Sequence, residues 1–215
     1  MSERDWDRSS VGWDQREGAR AYAAAAFDSL DRLCRRLGVA LRGARILDFG
    51  CGTGLLSERL AAVAAQVIAL DRSPGMIAVL RDKVARLGLA NVHPVQAEAS
   101  PALWASDPLF AAPFDLVVCS SVCAFVDDYP GTAAILSGRI RPGGLFVQWD
   151  WELDPAEESP VGLSRAAMRA ALGQAGLTVV HLEVGFSITA EGDTMAPLMG
   201  AGQVPAAVPP ATEPD

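Results

Sequence analysis

Apolar residues occur in short runs that alternate with stretches of helical spacing, and this alternation begins at Ala44. The apolar runs predict strands at 44–49, 66–70, 91–96, 114–119, 144–149, 177–184 and 195–203. Helical spacing between them predicts helices near 54–64, 74–87, 129–139 and 162–175. Strands that are separated by crossover helices imply an α/β fold, with a mostly parallel sheet covered by helices on both faces.

The two ends of the chain follow other patterns. Residues 13–37 predict an amphipathic helix or helix pair, because apolar side chains recur at helical spacing over an alanine-rich body. Residues 1–12 are polar, and we expect them to be loosely structured. Only a polar turn at 190–193 separates the last two predicted strands, so these should form an antiparallel hairpin. The tail 205–215, rich in Pro and Ala, predicts disorder.

Composition places the chain among globular proteins and narrows its partners. Its 215 residues are 50% hydrophobic, which favours one domain with a sizeable core. The 18 basic residues are outnumbered by 26 acidic ones, and this disfavours a nucleic-acid substrate. No apolar segment is long enough for a leader or a membrane span, so we expect a cytoplasmic protein without a membrane partner. The four cysteines, at 34, 51, 119 and 123, should be free thiols.

The segment from Ile46 to Gly54 is a strand that runs into a glycine turn and then a helix. Glycine at 50, 52 and 54 lets the backbone approach a ligand, and the following helix presents unpaired N–H groups. A chance glycine turn would also have this spacing. Asp71, however, ends the second strand where a βαβ unit delivers a carboxylate to ribose hydroxyls. Both features predict a nucleotide-like ligand, and GxGxG instead of GxGxxG disfavours a nicotinamide cofactor.

These residues resemble the class I S-adenosylmethionine-dependent methyltransferases over roughly residues 40–203. The first motif of that family is similar to the DFGCGTG stretch. Four further motifs continue the resemblance: Asp71-Arg72-Ser73-Pro74-Gly75-Met76, Gln96-Ala97-Glu98-Ala99, Phe114-Asp115-Leu116-Val117-Val118 and Arg141-Pro142-Gly143-Gly144. The resemblance implies a Rossmann-like seven-stranded sheet of order 3-2-1-4-5-7-6 with the last strand antiparallel. It also implies methyl transfer from S-adenosylmethionine, the expected cofactor, to an O, N or C nucleophile.

The resemblance also implies which residues hold the cofactor. Asp48 and the glycine turn would hold its methionyl end, Asp71 its ribose, and Met76 and Glu98 its adenine. Ser120 or Ser121 would lie beneath the methyl-donor centre. The full expected set is Asp48, Gly50, Cys51, Gly52, Thr53, Gly54, Asp71, Arg72, Met76, Ala97, Glu98 and Ser120. Three of these positions have plainer alternatives, since Met76 suits a core, Glu98 an exposed strand end and the serine a buried hydroxyl.

The acceptor site is predicted from the segments around the sheet edge. The Asn/Asp-Pro-Pro-aromatic segment of methyltransferases that act on DNA bases or glutamine is absent, which favours a small-molecule acceptor. Trp149 and Trp151 form either a substrate wall around Asp150 or simple packing at the edge. With Trp13 and Tyr22 of the N-terminal segment, they are the predicted substrate-binding residues. Asp150 is the candidate base, because aromatic neighbours would raise its pKa, and Asp127, Asp128 and Glu152 are the next candidates.

The predicted organisation is an N-terminal helical lid at 1–38, a methyltransferase domain at 39–204 and the tail. The walls of the pocket would come from the lid and from the loops at 120–129 and 149–158. Three thiols, Cys51, Cys119 and Cys123, suit either soft-metal chemistry or a core, and the core reading, with no metal, is favoured. The alternative functions are a noncatalytic S-adenosylmethionine or S-adenosylhomocysteine-binding module, and a protein or ribosomal RNA methyltransferase.

Overall fold

The computed structural model describes residues 3–153 and 161–206 of the chain. The strands are β1 Arg45–Phe49, β2 Gln66–Asp71, β3 Val92–Gln96, β4 Phe114–Ser120, β5 Ile140–Asp150, β6 Thr178–Val184, β7 Ile188–Ala190, β8 Asp193–Met195 and β9 Leu198–Gln203. The α-helices are α1 Glu3–Ser9, α2 Glu17–Leu37, α3 Leu55–Ala61, α4 Pro74–Leu87, α5 Pro101–Ser106, α6 Tyr129–Ser137 and α7 Arg165–Gln174. Short 3-10 turns lie at Trp13–Gln15, Pro108–Phe110 and Cys123–Phe125.

Seven of the strands form one sheet of order β3-β2-β1-β4-β5-β9-β6. The first five pair in parallel, whereas β9 runs antiparallel to both β5 and β6. The predicted seven-stranded, mostly parallel sheet with an antiparallel last strand is therefore confirmed, with β9 as its seventh strand. This topology places the carboxyl ends of β1, β2 and β4 side by side at one edge, which is where open α/β sheets bind ligands.

Two apolar layers pack against opposite faces of the sheet. On one face α2, α3 and α4 bury Leu30, Leu60 and Ile77 among the side chains of the sheet. On the other face α6 and α7 bury Leu136 and Leu172. The sheet is thus covered on both sides, and its carboxyl edge is the place left for a ligand. No helix in the described part of the chain is long and apolar enough to cross a membrane.

The connection between β6 and β9 is more elaborate than the sequence predicted. A small hairpin of β7 and β8 lies between them, pairs Ile188 with Met195, and turns at Glu191 and Gly192. The hairpin reaches α2, where the Glu17 N–H donates to Glu191 Oε1 at 3.0 Å. The predicted antiparallel pairing of the last two strands is confirmed, because β6 pairs with β9. The predicted direct connection between them is wrong, because the polar turn at 190–193 joins β7 to β8.

The N-terminal segment is also more ordered than its composition indicates. Residues 3–9 form α1 where a loose segment was expected, and Trp6 packs edge-on against Trp13 and Phe125 at ring distances of 6.2 and 5.2 Å. A helix or helix pair was predicted over 13–37, and the structure has a 3-10 turn followed by α2, with a break at Arg16, whose backbone is extended. Segment 3–16 therefore lies across the sheet edge, and we call it the cover. The tail beyond 206, predicted to be disordered, lies outside the described residues, as does 154–158 of the predicted pocket loop.

Candidate functional site

A cavity of about 590 Å³ lies at the carboxyl ends of β1, β2 and β4. Its volume is within the range of about 300–1,000 Å³ that is usual for small-molecule sites. The sheet edge forms its floor, and Trp6 and Trp13 of the cover border it on the other side. On the far side it is bounded by the β7–β8 hairpin, through residues such as Glu191 and Met195. The cavity therefore has one half at the glycine turn and another among aromatic side chains.

The glycine turn after β1 needs glycine for two different reasons. Gly50 and Gly52 both have positive φ, at 66° and 55°. A Cβ on Gly50 would lie 2.4 Å from Val122, so this glycine permits close packing between β1 and the segment after β4. At Gly52 the nearest atom to a Cβ would be Met76 Sδ at 3.8 Å, and both residues line the cavity. The space beside Gly52 is thus space for a ligand.

Asp71 ends β2 beside this turn, and two backbone groups fix its carboxylate. Ser73 N donates to Oδ1 and Gly52 N donates to Oδ2, both at 2.8 Å. Burial raises the pKa of Asp71, while these two N–H groups act in the opposite direction. Each carboxylate oxygen has a further lone pair for a donor, and Asp71 lines the cavity. This arrangement suits a vicinal pair of ligand hydroxyls.

Asp48 lies deeper, near the end of β1, with 1% of its surface exposed. Ser57 Oγ donates to Oδ2 at 2.5 Å, and Oδ1 has no hydrogen-bond partner within the described residues. Burial raises the pKa of Asp48 to about 7. A buried carboxylate oxygen without a partner is costly, and Asp48 lines the cavity, so the site suits a ligand that brings a positive charge.

Eleven of the twelve predicted cofactor residues line the cavity: Asp48, Gly50, Cys51, Gly52, Thr53, Asp71, Arg72, Met76, Ala97, Glu98 and Ser120. Gly54 does not line it. This residue begins α3 in a left-handed conformation, and a Cβ there would lie 2.3 Å from Leu80 Cδ1, so Gly54 serves packing instead. Met76 is buried and still borders the cavity, so both of its predicted roles are compatible with its position.

Aromatic side chains form the other half of the cavity. The Tyr22 ring lies 5.7 Å from that of Trp151 and 5.0 Å from that of Phe186. Tyr22, Trp151 and Trp13, three of the four predicted substrate-binding residues, line the cavity. Such walls favour a planar or aromatic ligand.

Trp149 is not among the cavity-lining residues, contrary to the sequence prediction. It is fully buried in β5, and its Nε1–H donates to Ser29 Oγ of α2 at 2.9 Å. Side chains alternate along a strand, so Trp149 and Trp151 share a face. Only Trp151 lies beyond the end of the strand, at the cavity. Trp149 is therefore a core residue that anchors α2.

Asp150 does not border the cavity either, which corrects its assignment as a base. Its side chain points to the opposite face from its two tryptophan neighbours, where Ala124 N donates to Oδ1 at 3.0 Å and Gln148 Nε2 to Oδ2 at 3.1 Å. Burial raises its pKa to about 7, as the sequence indicated. The shift accompanies a structural role, since Asp150 holds the 3-10 turn at Cys123–Phe125 that borders the cavity.

The other three candidates for the base are acidic residues that lie at the surface. Asp127 and Asp128 lie at the exposed rim of the cavity, and Asp128 caps α6 by accepting from Gly131 N at 2.9 Å. Glu152 is exposed and paired with Arg165 at 2.9 Å. The rim therefore carries carboxylates, whereas the interior of the aromatic half carries hydroxyls and rings.

Two carboxylates attach the cover to the rest of the protein. Asp7 Oδ1 accepts from Ser73 Oγ at 2.5 Å and from Gly75 N at 3.0 Å, at the start of α4. Those hydrogen bonds, that of Ser73 above all, lower the pKa of Asp7.

Asp14 makes the second attachment. Its Oδ1 accepts from Thr53 Oγ1 at 2.6 Å, and its Oδ2 lies 2.7 Å from Lys83 Nζ, which is buried. Glu58 Oε2 lies 3.5 Å from the same ammonium. Lys83 is the single lysine of the chain, and its charge is committed to these two carboxylates.

The thiols and histidines lie away from the aromatic half. Cys119 and Cys123 are buried together on the α6 and α7 face, whereas Cys51 belongs to the opposite layer, so the three thiols do not meet. In residues 3–153 and 161–206, no three His, Cys, Asp or Glu side chains are grouped as a metal site would require. His93 lies within edge strand β3, and His181 faces Arg36 at 3.2 Å on β6.

Sequence reasoning missed several residues that border the cavity. Trp6, Arg16 and Phe125 lie in the lid and the 120–129 loop, which were predicted as walls, but were not singled out, whereas Glu191, Asp193 and Met195 belong to a hairpin that was not predicted. Trp6 could have been predicted from the sequence, because it is a single aromatic residue in a charged segment and precedes Trp13 by two helical turns. The hairpin residues are harder to predict, because the segments on both sides of Gly192 are short and polar and are typical of any loop.

Comparisons with known proteins find similarity in the central part of the chain. Residues 46–144 match the model of a family described as "Methyltransferase domain". The matched residues make up just under half of the chain. They span all the strands and turns that build the glycine half of the cavity.

Curated relatives extend beyond this domain. The ubiquinone biosynthesis O-methyltransferase of Xylella fastidiosa (strain 9a5c) is 37% identical over 140 residues, 65% of this chain and 54% of that protein. The enzyme of the same name from Aromatoleum aromaticum is 36% identical over 116 residues, 54% of this chain and 46% of that protein. The chain thus spans about half the length of the curated relatives it matches.

Solved structures show the same methyltransferase fold at low identity. A SAM-dependent methyltransferase from Aquifex aeolicus aligns with a TM-score of 0.62 at 18% identity, over 81% of this chain and 88% of that one. The [4+2]-cyclase SpnF aligns with a TM-score of 0.66 at 16% identity, over 85% and 82%. Proteins with different names thus share this fold, so the fold alone does not decide the reaction.

Proposed function

We propose that this protein transfers a methyl group from S-adenosylmethionine to a small-molecule acceptor bound in the aromatic half of the cavity. The observation that carries the proposal is the pair of carboxylates at the glycine turn. Asp48 offers an unpartnered, buried oxygen for the ammonium of the methionyl end, and Asp71 offers a fixed carboxylate for the ribose hydroxyls. The bound cofactor would supply an electrophilic methyl group on its sulfonium.

The other cavity residues fit the remainder of that cofactor. Met76 would pack on the adenine, and Glu98 would accept from its amino group. The open space beside Gly52 would hold the chain that joins ribose to the methionyl end. The four acidic residues at the rim, Asp127, Asp128, Glu191 and Asp193, also favour a positively charged cofactor.

The acceptor is proposed to be small for three reasons. The cover and the β7–β8 hairpin border the cavity, its walls include aromatic side chains, and the chain carries a formal net charge of -8. A macromolecular acceptor would need a groove that runs out of this cavity. Ubiquinone biosynthesis O-methyltransferases, the relatives found by sequence, are consistent with this choice. The cytoplasmic location expected from the sequence remains a prediction.

The cover is proposed to act as a lid. It closes the cavity through Trp6 and Trp13 and is attached by Asp7 and Asp14 to segments that form the cofactor half. A closed lid would exclude water from the reacting groups, and would bring donor and acceptor to attack distance, an effect worth up to roughly 7–11 kcal/mol. Opening would then be required for each turnover.

The proposal is tested by incubating the protein with S-adenosylmethionine carrying an isotopically labelled methyl group and a metabolite extract. We expect label in a low-molecular-mass product, identified by mass spectrometry, together with S-adenosylhomocysteine. The Gly52→Val variant, whose side chain would fill the cofactor half, should form neither product.

Two other outcomes correspond to the rival functions. Binding of S-adenosylhomocysteine without any labelled product would favour a regulatory module that does not catalyse transfer. Label in the protein or ribosomal RNA fraction alone would favour a macromolecular acceptor.

A further inference from the structure

A pair of hydroxyl groups lies where the two halves of the cavity meet. Ser121 follows β4, and its Oγ donates to the Tyr22 hydroxyl oxygen at 2.8 Å. Both residues line the cavity, and Val122, the next residue, packs directly against Gly50 of the glycine turn. The pair is therefore adjacent to both the cofactor half and the aromatic half.

The position of this pair is fixed from several sides. Tyr22 is 8% exposed, and its ring is held against Trp151 and Phe186. Ser121 has a φ of 54°, which is unfavourable for a residue with a side chain, and its N–H donates to the Trp149 carbonyl at 2.7 Å. Strained residues of this kind persist only where surrounding contacts hold them, and they concentrate at functional sites.

One hydroxyl hydrogen of the pair is left over. Two hydroxyl groups carry two hydrogens, and a single hydrogen bond between them uses one, whichever group donates. With Ser121 as donor, the remaining hydrogen belongs to Tyr22. Burial raises the pKa of Tyr22, which keeps it protonated. No other bond from this hydroxyl to a described residue is present, so its hydrogen is available to the cavity.

We propose that the Tyr22–Ser121 pair donates a hydrogen bond to the reacting atom of the acceptor, and that this atom is the oxygen of an aromatic hydroxyl. The inference rests on the proposed function. A neutral amine has one lone pair, which the methyl group must take, so a donor at that nitrogen would block the reaction. An oxygen keeps a second lone pair for the donor. The aromatic walls then select an aryl group.

The step balances without a further reactant. The acceptor hydroxyl releases its proton to water at the cavity mouth, and its oxygen contributes the electron pair of the new O–CH₃ bond. The S–CH₃ bond breaks and its electron pair stays on sulfur. Tyr22 and Ser121 keep their hydrogens. Because the rim carries four carboxylates, an oxygen anion is disfavoured by its surroundings, and a donor at that oxygen offsets this effect.

The test measures the binding of two probes of nearly equal shape, 4-nitrophenol and 4-nitroaniline, to protein that is saturated with S-adenosylhomocysteine. The absorption band of nitrophenol reports its ionisation, and quenching of tryptophan fluorescence reports binding of either probe. The decisive variant combines Tyr22→Phe with Ser121→Gly, which removes both hydroxyls and suits the positive φ. Tyr22→Phe alone serves as a second variant. The matched control is Tyr129→Phe, since Tyr129 is equally buried but bonds Gln148 away from the cavity.

We expect the pKa of bound nitrophenol to be about one to two pH units higher in the double variant than in wild type. The affinity for nitrophenolate should fall about tenfold or more. The affinity for nitroaniline should stay the same, and the Tyr129→Phe control should match wild type with both probes. The single variant Tyr22→Phe should change in the same direction.

Three results would overturn the proposal. The bound pKa of nitrophenol could be equal in all four proteins, nitroaniline could weaken as much as nitrophenolate, or nitrophenol could fail to bind the loaded wild type. Calorimetry with S-adenosylhomocysteine separates these from failure of the proposed function. If wild type does not bind S-adenosylhomocysteine, the cofactor site itself is contradicted. If wild type binds it and any of the three results is found, only the role of the Tyr22–Ser121 pair is contradicted.

Discussion

At the scale of single residues, glycines of similar backbone conformation have different roles at the turn after β1. Gly50 has positive φ and a crowded Cβ position, whereas Gly52 has positive φ beside open cavity space. Gly88, which ends α4, has a φ of +64° with no atom within 4 Å of a Cβ. Substitutions at these three positions therefore separate the effect of backbone strain from the effects of crowding and of ligand contact.

We expect Gly52→Ala and Gly88→Ala to lower the free energy of unfolding by a similar amount, about 1–2 kcal/mol, because each places a Cβ in left-handed backbone. Gly50→Ala should lower it by a further ~1–3 kcal/mol through its clash with Val122. Of Gly52→Ala and Gly88→Ala, only Gly52→Ala should also weaken the binding of S-adenosylhomocysteine to the folded protein. Denaturant titration and calorimetry measure the two effects. Equal affinity in Gly52→Ala and Gly88→Ala would place the ligand elsewhere.

The pKa of Asp150 predicts how the stability of the protein depends on pH, since burial raises this pKa from 3.8 to about 7 in the folded state. A raised carboxyl pKa means that the folded state favours the protonated form. The corresponding stability is therefore fully present below pH 3.8 and is lost as the pH rises to about 7. Asp48 behaves in the same way, so wild type and Asp150→Asn must be compared directly.

Asp150→Asn stays neutral and keeps an oxygen for the Ala124 N–H, so it should lose less stability over that interval. Between pH 4.5 and 7.5, its free energy of unfolding should gain roughly 1–4 kcal/mol relative to wild type. Chemical denaturation at a series of pH values gives this difference. A constant difference across the interval would mean that the Asp150 carboxyl does not titrate with a raised pKa.

At the scale of elements, the cover depends on a half-buried ion pair. Asp14→Asn retains an oxygen for Thr53 Oγ1 but removes the charge that faces buried Lys83, leaving Glu58 at 3.5 Å as its partner. The matched control is Asp31→Asn, whose carboxylate is 29% exposed, close to the 30% of Asp14, and pairs with exposed Arg35 on α2. Exposed pairs of that kind contribute only about 0.3–0.5 kcal/mol.

We expect faster amide hydrogen exchange across residues 3–16 in Asp14→Asn, and dissociation of S-adenosylhomocysteine that is several-fold faster, because the cover opens more often. Asp31→Asn should match wild type in both measurements. Exchange that is unchanged in Asp14→Asn would show that the ion pair does not hold the cover closed.

The elements also differ in how well their sequence predicts them. Strands β1, β2 and β4 have nearly continuous apolar runs, because both of their faces are buried, and they were predicted to within one residue at each end. Helix α5 was missed, since it is short and its Ser100 cap followed by Pro101 is its main signal. Helix α1 was missed because what orders it lies far away in sequence, with Trp6 packing on Phe125 and Asp7 bonding Ser73.

The same distinction applies to the site. The glycine half follows from local sequence, because a strand, a turn and a helix start fix its geometry within one βαβ unit. The aromatic half is assembled from α1, α2, the segment after β4, and the β7–β8 hairpin. Whether Trp149 or Trp151 borders it depends on where β5 ends. That endpoint is set by pairing with β9 and is not visible in the local pattern.

At the scale of the whole molecule, the sheet edge carries the candidate site and the N-terminal cover lies across it. The sheet edge fixes Asp48, Asp71 and the Tyr22–Ser121 pair, while the cover is attached by two carboxylates. The proposed methyl transfer would use both parts, because ligands must enter and leave a site that excludes water during the reaction. The central claim is that the glycine half of the cavity binds the cofactor.

The most direct test of that claim is a calorimetric titration of the folded protein with S-adenosylhomocysteine, in wild type, Asp71→Asn and Asp107→Asn. Asp107 is a matched control, since its carboxylate also accepts a backbone N–H, that of Leu109 at 2.9 Å, but lies away from the cavity. We predict one ligand per chain in wild type and in Asp107→Asn, and affinity about 10–100-fold weaker in Asp71→Asn. No binding to wild type, or equal affinity in all three proteins, would contradict the account.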